Sequence, residues 1–300
     1  MKLNKKEIVY LAEAFSTENP LSLFSNMKSQ LDGTEAATLE EKGVIRGGKL
    51  TEEWEAAFEV IRNPERCARL ILKDNSLLVE KYAYKTGDKI VLAENEQGEM
   101  LVSVPENFNQ VIMALSEFTG MSNIASSDMG VFLPIDEALV LLSMMDLCRK
   151  NELLSFLDEK SDGKYSLSDV SNQLGNPAKN SLTKMLKSNY NLDSPKQETE
   201  LILGKLIEKG IVGFNGGYSL LAEYEAAARS FLIPETLVML EAFQINSEGR
   251  VITAGALCVT AGVKTIISFV FAGDEIEISS ITGSYLLKII ENFLNCPVLE

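Results

Sequence analysis

Three stretches of the chain place residues at spacings suited to chemistry. Gly43-Val-Ile-Arg-Gly-Gly48-Lys49 follows the start of a phosphate-binding loop, where glycine amides cradle phosphates and a lysine reaches the outer oxygens. Leu50 stands where Mg²⁺ needs a hydroxyl, and the motif follows a helical pattern and not a strand, so it reads as a helix cap and turn. Asp158 to Asp169, with Asp162-Gly163, has the outline of a calcium loop. Lys160 puts an ammonium at a ligand position and Asp169 is too short for the usual bidentate Glu, so a surface loop is expected. Ser166 to Gly175, Ser181 to Ser188, and Glu200 to Gly210 with a glycine-rich turn to Tyr218 have the cadence of a winged helix-turn-helix. As a DNA reader it is poor, offering Lys179, Lys184 and Lys187 but no Arg for bidentate guanine contacts.

The chain has no histidine, which removes Ser-His-Asp and Cys-His nucleophile pairs and histidine zinc sites. A carboxylate mechanism remains open in principle, but 43 acidic residues make any chosen pair uninformative. No enzymatic activity, metal or cofactor is expected. Cys67, Cys148, Cys258 and Cys296 lie far apart with no C-x-x-C pair, and read as reduced, mostly buried thiols.

At 300 residues, 46% hydrophobic and 24% charged, the composition is that of an ordinary globular protein. A formal charge of −15 opposes phosphate backbones and anionic lipid, so neither nucleic acid nor membrane is expected as a partner. The start, Met1-Lys-Leu-Asn-Lys-Lys-Glu, lacks the apolar region of a signal peptide, which points to the cytoplasm. Val251 to Gly273 is long and almost uncharged, but it breaks at Thr260-Ala-Gly-Val-Lys264 and is rich in β-branched residues, so two strands are expected and not a membrane span.

The elements that would position any site recur along the chain. Glu53-Trp-Glu-Ala-Ala57 returns as Glu223-Tyr-Glu-Ala-Ala227, and Pro64-Glu65 returns at the same distance as Pro234-Glu235. Upstream, Leu39-Glu-Glu-Lys-Gly-Val-Ile45 matches Leu206-Ile-Glu-Lys-Gly-Ile-Val212. Each copy reads as an opening helix (Lys5 to Phe15; Ile135 to Lys150), a helix ending at Gly43 or Gly210, and a helix around Trp54 or Tyr224. Four strands follow, at 68–73, 77–86, 89–95 and 99–104, then 236–245, 251–260, 264–272 and 275–281, and a closing helix at 107–118 or 284–294. The expected fold class is α+β, a tandem duplication of two similar subdomains, residues 1–125 and 126–300. Each has an antiparallel four-stranded meander plus helices, in a pseudo-twofold arrangement.

The second copy carries a helical insertion at about Ser161 to Lys196, because Phe24 to Leu39 is much shorter than Phe156 to Leu206. The first meander mixes Glu80, Lys81, Lys85 and Glu94 among apolar positions, as a sheet with one wet face does. The second is apolar on both parities, so its second face must be covered by the other copy or by a partner.

Leu39-Glu-Glu-Lys-Gly43, Trp54-Glu-Ala-Ala-Phe58, Ile61-Arg-Asn-Pro64-Glu65, Gly87-Asp-Lys-Ile-Val-Leu92 and Leu101-Val-Ser-Val-Pro105, in this order and spacing, resemble the EspG-type chaperones of type VII (ESX) secretion. The resemblance covers about Leu39 to Phe118 and, through the repeat, the second copy more loosely. It implies a cytoplasmic binding protein that holds a helical secretion substrate of WXG, LXG or PPE-like type before export and keeps its aggregation-prone end covered. It transfers no contact residue. Because a client's apolar end needs an apolar surface, the contact candidates are Leu257, Ile266 and Val270 beside the turn Ala261-Gly262, with the equivalent turn Gly87-Asp88 second. A winged-helix transcriptional regulator and a carboxylate-based enzyme are the alternatives.

Overall fold

A computed structural model describes the chain except residues 15–16, 26–29, 97, 106, 158–161, 196, 263–264 and 300. The elements run β1 (Lys2–Asn4), α1 (Lys5–Ala14), α2 (Glu35–Glu41), β2 (Ile45–Arg46), β3 (Lys49–Leu50), α3 (Glu52–Arg62), β4 (Arg66–Lys73), β5 (Leu78–Thr86), β6 (Lys89–Glu96), β7 (Glu99–Ser103) and α4 (Asn109–Thr119). They continue with β8 (Gly130–Pro134), α5 (Ile135–Ser155), α6 (Leu167–Gly175), α7 (Leu182–Tyr190), α8 (Thr199–Glu208), β9 (Val212–Phe214), β10 (Tyr218–Leu220), α9 (Ala222–Ser230), β11 (Thr236–Ile245), β12 (Val251–Thr260), β13 (Ile266–Ala272), β14 (Glu275–Ile281) and α10 (Gly283–Leu294). The chain is thus a mixture of helices and antiparallel strands, and the apolar stretch Val251 to Gly273 forms β12 and β13. Among the described residues no helix is long and apolar enough to cross a membrane.

The chain divides into two compact units that do not follow the 125/126 boundary. The first comprises Met1–Leu115, Val238–Gly255 and Lys288–Glu300, and the second Ser116–Leu237 and Ala256–Leu287. In the first unit the strands lie in the order β1-β7-β6-β5-β4-β11. Its meander is antiparallel, with Ala68 opposite Ala83, Ala83 opposite Leu92 and Ala93 opposite Val102. The core holds Leu11, Leu39, Phe58, Ile61 and Val102. The C-terminal tail completes the unit: Arg66 Nη1 donates to Cys296 O at 2.9 Å and Lys85 Nζ to Asn295 O at 3.2 Å.

In the second unit the order is β12-β13-β14-β8, again antiparallel. Here β8 edges β14 as β1 edges β7 in the first unit. The long helix α5 is buried from Glu137 to Arg149 except at Leu147, in keeping with its unbroken run Ala138-Leu-Val-Leu-Leu142. It ends at Ser155, five residues beyond the expected Lys150.

Corresponding places carry corresponding bonds. Val44 N donates to Leu39 O at 2.9 Å and Ile211 N to Leu206 O at 2.9 Å, where Gly43 and Gly210 end their helices in left-handed conformation. The phosphate-loop look-alike is therefore a helix end followed by a hairpin, with Gly47 and Gly48 forming the turn between β2 and β3. Of the calcium-like stretch, Asp158 to Ser161 lie outside the described residues. Asp169 is engaged otherwise: it forms a capping box with Ser166 that starts α6. The ends of the expected insertion, Ser161 and Lys196, likewise lie outside, while α6 and α7 fall within it.

Candidate functional site

The two hairpin turns singled out by sequence are built alike. Glu65 N donates to Lys85 O at 2.9 Å, and its carboxylate accepts from Gly87 N at 3.2 Å. In the second unit Glu235 N donates to Thr260 O at 2.8 Å, and its carboxylate accepts from Gly262 N at 3.0 Å. Both glycines have positive φ, +56° and +79°, so a side chain there would strain the turn. The repeated Pro-Glu is thus a clamp on each meander's central turn. Gly87 and Asp88 are exposed, Ala261 and Gly262 half-buried.

Leu257 and Ile266, expected at a contact surface, are core residues in this structure, 0% and 1% exposed, and Val270 is half-buried. Ala256 to Thr260 and Ile266 to Phe269 are buried without a break, which means that both faces of this part of the sheet are covered within the chain. The insertion supplies part of that cover. Tyr190, at the end of α7, packs on Phe271 of β13 with ring centroids 4.2 Å apart.

A buried polar cluster fastens α7. Asp146 on α5 accepts from Leu182 N at 2.9 Å, Thr183 N at 3.0 Å, Thr183 Oγ1 at 2.7 Å and Arg149 Nη1 at 2.5 Å. Arg149 donates in turn to Phe231 O at 2.5 Å and Leu232 O at 3.0 Å. Burial pushes the Asp146 carboxyl up and the Arg149 guanidinium down, and their mutual contact opposes both shifts. Above the pair lies an open groove of about 400 Å³, lined by Leu153, Leu154, Leu232, Ile233 and Pro234. Ile233 is 64% exposed, and Phe156 and Leu157, at the end of α5, are 69% and 72% exposed.

The first unit offers a larger hollow. A cleft of about 690 Å³ runs between α3 and the ends of β6 and β7, lined by Trp54, Ala57, Val60, Val102 and Val104, with Glu53 and Asp88 at its rim. An adjoining hollow of about 530 Å³ is lined by Glu52, Glu55, Glu59 and Thr86. Ala56, Val60 and Lys89 line both. Of the expected contact residues, Asp88 alone lines this cleft. Sequence reading missed the cleft itself, although the exposed apolar Val104 just after a strand and the lone Trp54 were its visible signals.

The thiols of Cys67, Cys258 and Cys296 are buried and pushed up to about 12, which keeps them protonated at neutral pH. Burial also raises Cys148, which lies beside Arg229 and Glu225 in a polar pocket of about 370 Å³. Among the described residues no group of three or more Cys, Asp or Glu side chains is arranged to hold a metal ion.

No protein-family model matches the chain, and no curated protein matches its sequence. Its fold, however, is similar over the whole length to a solved structure, that of the type VII secretion system chaperone EspG5 of Mycobacterium tuberculosis in complex with a PE25–PPE41 dimer. The match covers 100% of this chain and 98% of that one at 11% identity, with a TM-score of 0.56.

Proposed function

We propose that this protein is a chaperone or adaptor that holds a helical secretion substrate of the type VII kind before export, and that it works in the cytoplasm by binding and not by catalysis. The observation that carries the reading is end-to-end similarity of fold to a type VII secretion chaperone solved with its PE–PPE partner. The sequence pattern from Leu39 to Pro105 points the same way. So do the exposed apolar residues of the second unit, because surface of that kind marks protein contacts on soluble chains. We further read the chain as a tandem duplication. The recurring element order, the matching Gly43 and Gly210 helix ends and the two Pro-Glu clamps support that history.

With Leu257 and Ile266 in the core, the accessible contact candidates are the turn Gly87-Asp88 in the first unit and, in the second, the turn Ala261-Gly262, Val270 and the apolar groove at Leu153 and Ile233. Co-expression with a PE–PPE pair or a WXG or LXG helical protein tests the reading. The expected result is a stoichiometric complex that survives gel filtration and is weakened by Ile233→Asp with no change in the melting curve. Failure of every such substrate to co-purify would remove it. The winged-helix alternative has a shape in its favour, since Tyr165 pairs with Tyr218 beside the β9–β10 hairpin. Its charge does not fit: α7 offers Lys184 and Lys187, and the chain carries −15 overall.

A further inference from the structure

The helix α3 and its counterpart α9 share the sequence Glu-x-Glu-Ala-Ala but differ in how their carboxylates are satisfied. On α9, Arg229 pairs with Glu225 at 2.8 Å and reaches Glu152 at 3.6 Å. The position matching Arg229 on α3 is Glu59, so Glu55 and Glu59 stand as like charges at i,i+4, an arrangement that disfavours a helix. Arg62 and Asn63 reach Glu59, at 3.5 and 2.7 Å. No described cation pairs with Glu52, Glu53, Glu55 or Asp88. The first-turn position of Glu52, Glu53 and Glu55 suits the helix dipole, which accounts for their being acidic but not for the surface beside them. That surface is apolar: Trp54, Ala56 and Val104 line the cleft over the buried Val60, and Val104 is 61% exposed. Lys89 is the one cationic side chain among the lining residues of the two hollows. The Met1 ammonium, also at the cleft, is bonded to Val102 O at 2.8 Å.

We propose that this groove docks a basic amphipathic helix, its apolar stripe against Trp54, Ala56 and Val104 and its Lys or Arg side chains over Glu52, Glu53, Glu55 and Asp88. Charge complementarity selects the occupant: an acidic or neutral apolar helix would bring no cation to four unpaired carboxylates, whereas a basic one neutralises them in a partly dry setting. The inference rests on the chaperone reading for the partner being helical, and it adds that the face meeting the first unit is basic. The second unit's groove, with Lys150 at its edge, does not share this preference.

Trp54 is the only tryptophan in the chain, so its emission reports on the cleft. The test titrates a synthetic Leu/Lys amphipathic helix of about 18 residues into the full chain. The expected result is a saturable blue shift whose affinity falls about tenfold or more between low and high salt, with no response to the Leu/Glu counterpart. E52Q/E55Q should weaken binding at least about fivefold. E275Q/E277Q, an equal change of net charge at exposed positions of β14, should leave it intact. No saturable shift, or an equal loss in both variants, overturns the proposal. Co-purification of helical secretion substrates is measured on the same variants. Substrates held equally by wild type and E52Q/E55Q, with no Trp54 response, remove the groove and leave the chaperone reading. Charge-dependent peptide binding without capture of any substrate keeps the groove and removes that reading.

Discussion

At Gly283 an added methyl group has nowhere to go. A Cβ there would lie 2.6 Å from Gly120 O and 2.9 Å from Thr119 O, backbone atoms that cannot swing away. Gly283→Ala should therefore destabilise the fold by about 2 to 3 kcal/mol, read as a drop in the urea midpoint, whereas Gly204→Ala, with open space around it, should not. Asp146 is a second such point. Asp146→Ala would strand the Arg149 guanidinium and two backbone amides in the interior, at a cost of about 3 to 5 kcal/mol. The buried thiols predict a pH effect of definite sign. Cys67, Cys258 and Cys296 are held near 12 in the fold against 9.0 when exposed. Between those values the unfolded chain has lost protons that the native chain keeps. Stability is therefore full below pH 9 and falls as pH rises through the window, by about 1.4 kcal/mol per pH unit for each thiol. Denaturation at pH 8 and pH 10 checks this, and rapid labelling of the native thiols by a disulfide reagent at pH 8 would contradict it.

Most elements were legible in the sequence because turn residues punctuate them. The strands expected at 89–95 and 275–281 are found at Lys89–Glu96 and Glu275–Ile281, and the closing helix expected at 284–294 is Gly283–Leu294. What escaped was set by distant partners. The edge strands β1 and β8 are too short to carry an alternating pattern and exist because β7 and β14 offer them free edges. The double-sided apolar pattern of β12 and β13 correctly required a cover, but sequence does not say which segment supplies it, so Leu257 and Ile266 read as surface when they are core. The helix α7 is one part of that cover, through Tyr190 on Phe271. Tyr190→Ala should lower stability by about 1 to 2 kcal/mol and increase binding of a hydrophobic dye, without changing helix content by circular dichroism. The cleft beside α3 was illegible for the same reason: it needs Trp54, Val91 and Val104, far apart in sequence, to face one hollow.

For the whole molecule, the repeat in sequence and the compact units differ, and that bears on dissection. The first unit needs Val238–Gly255 and the C-terminal tail, where the Cys296 thiol donates to Ala83 O at 3.4 Å and Leu299 N to Gln244 Oε1 at 2.9 Å. Fragments cut at 125/126 should therefore aggregate or unfold without cooperativity, and a soluble, sharply melting 126–300 fragment would count against this division. On the proposed reading, the charge of −15 opposes self-association of a chain that presents apolar surface to a client. The central claim is that this surface shields a helical secretion substrate, and the most direct measurement is light scattering of such a substrate as it emerges from denaturant, alone and with increasing amounts of the chain. The account predicts that scattering falls in proportion to the added chain and vanishes at about one chain per substrate, the stoichiometry of a one-site binder. Scattering unchanged at a severalfold excess of the chain would contradict it.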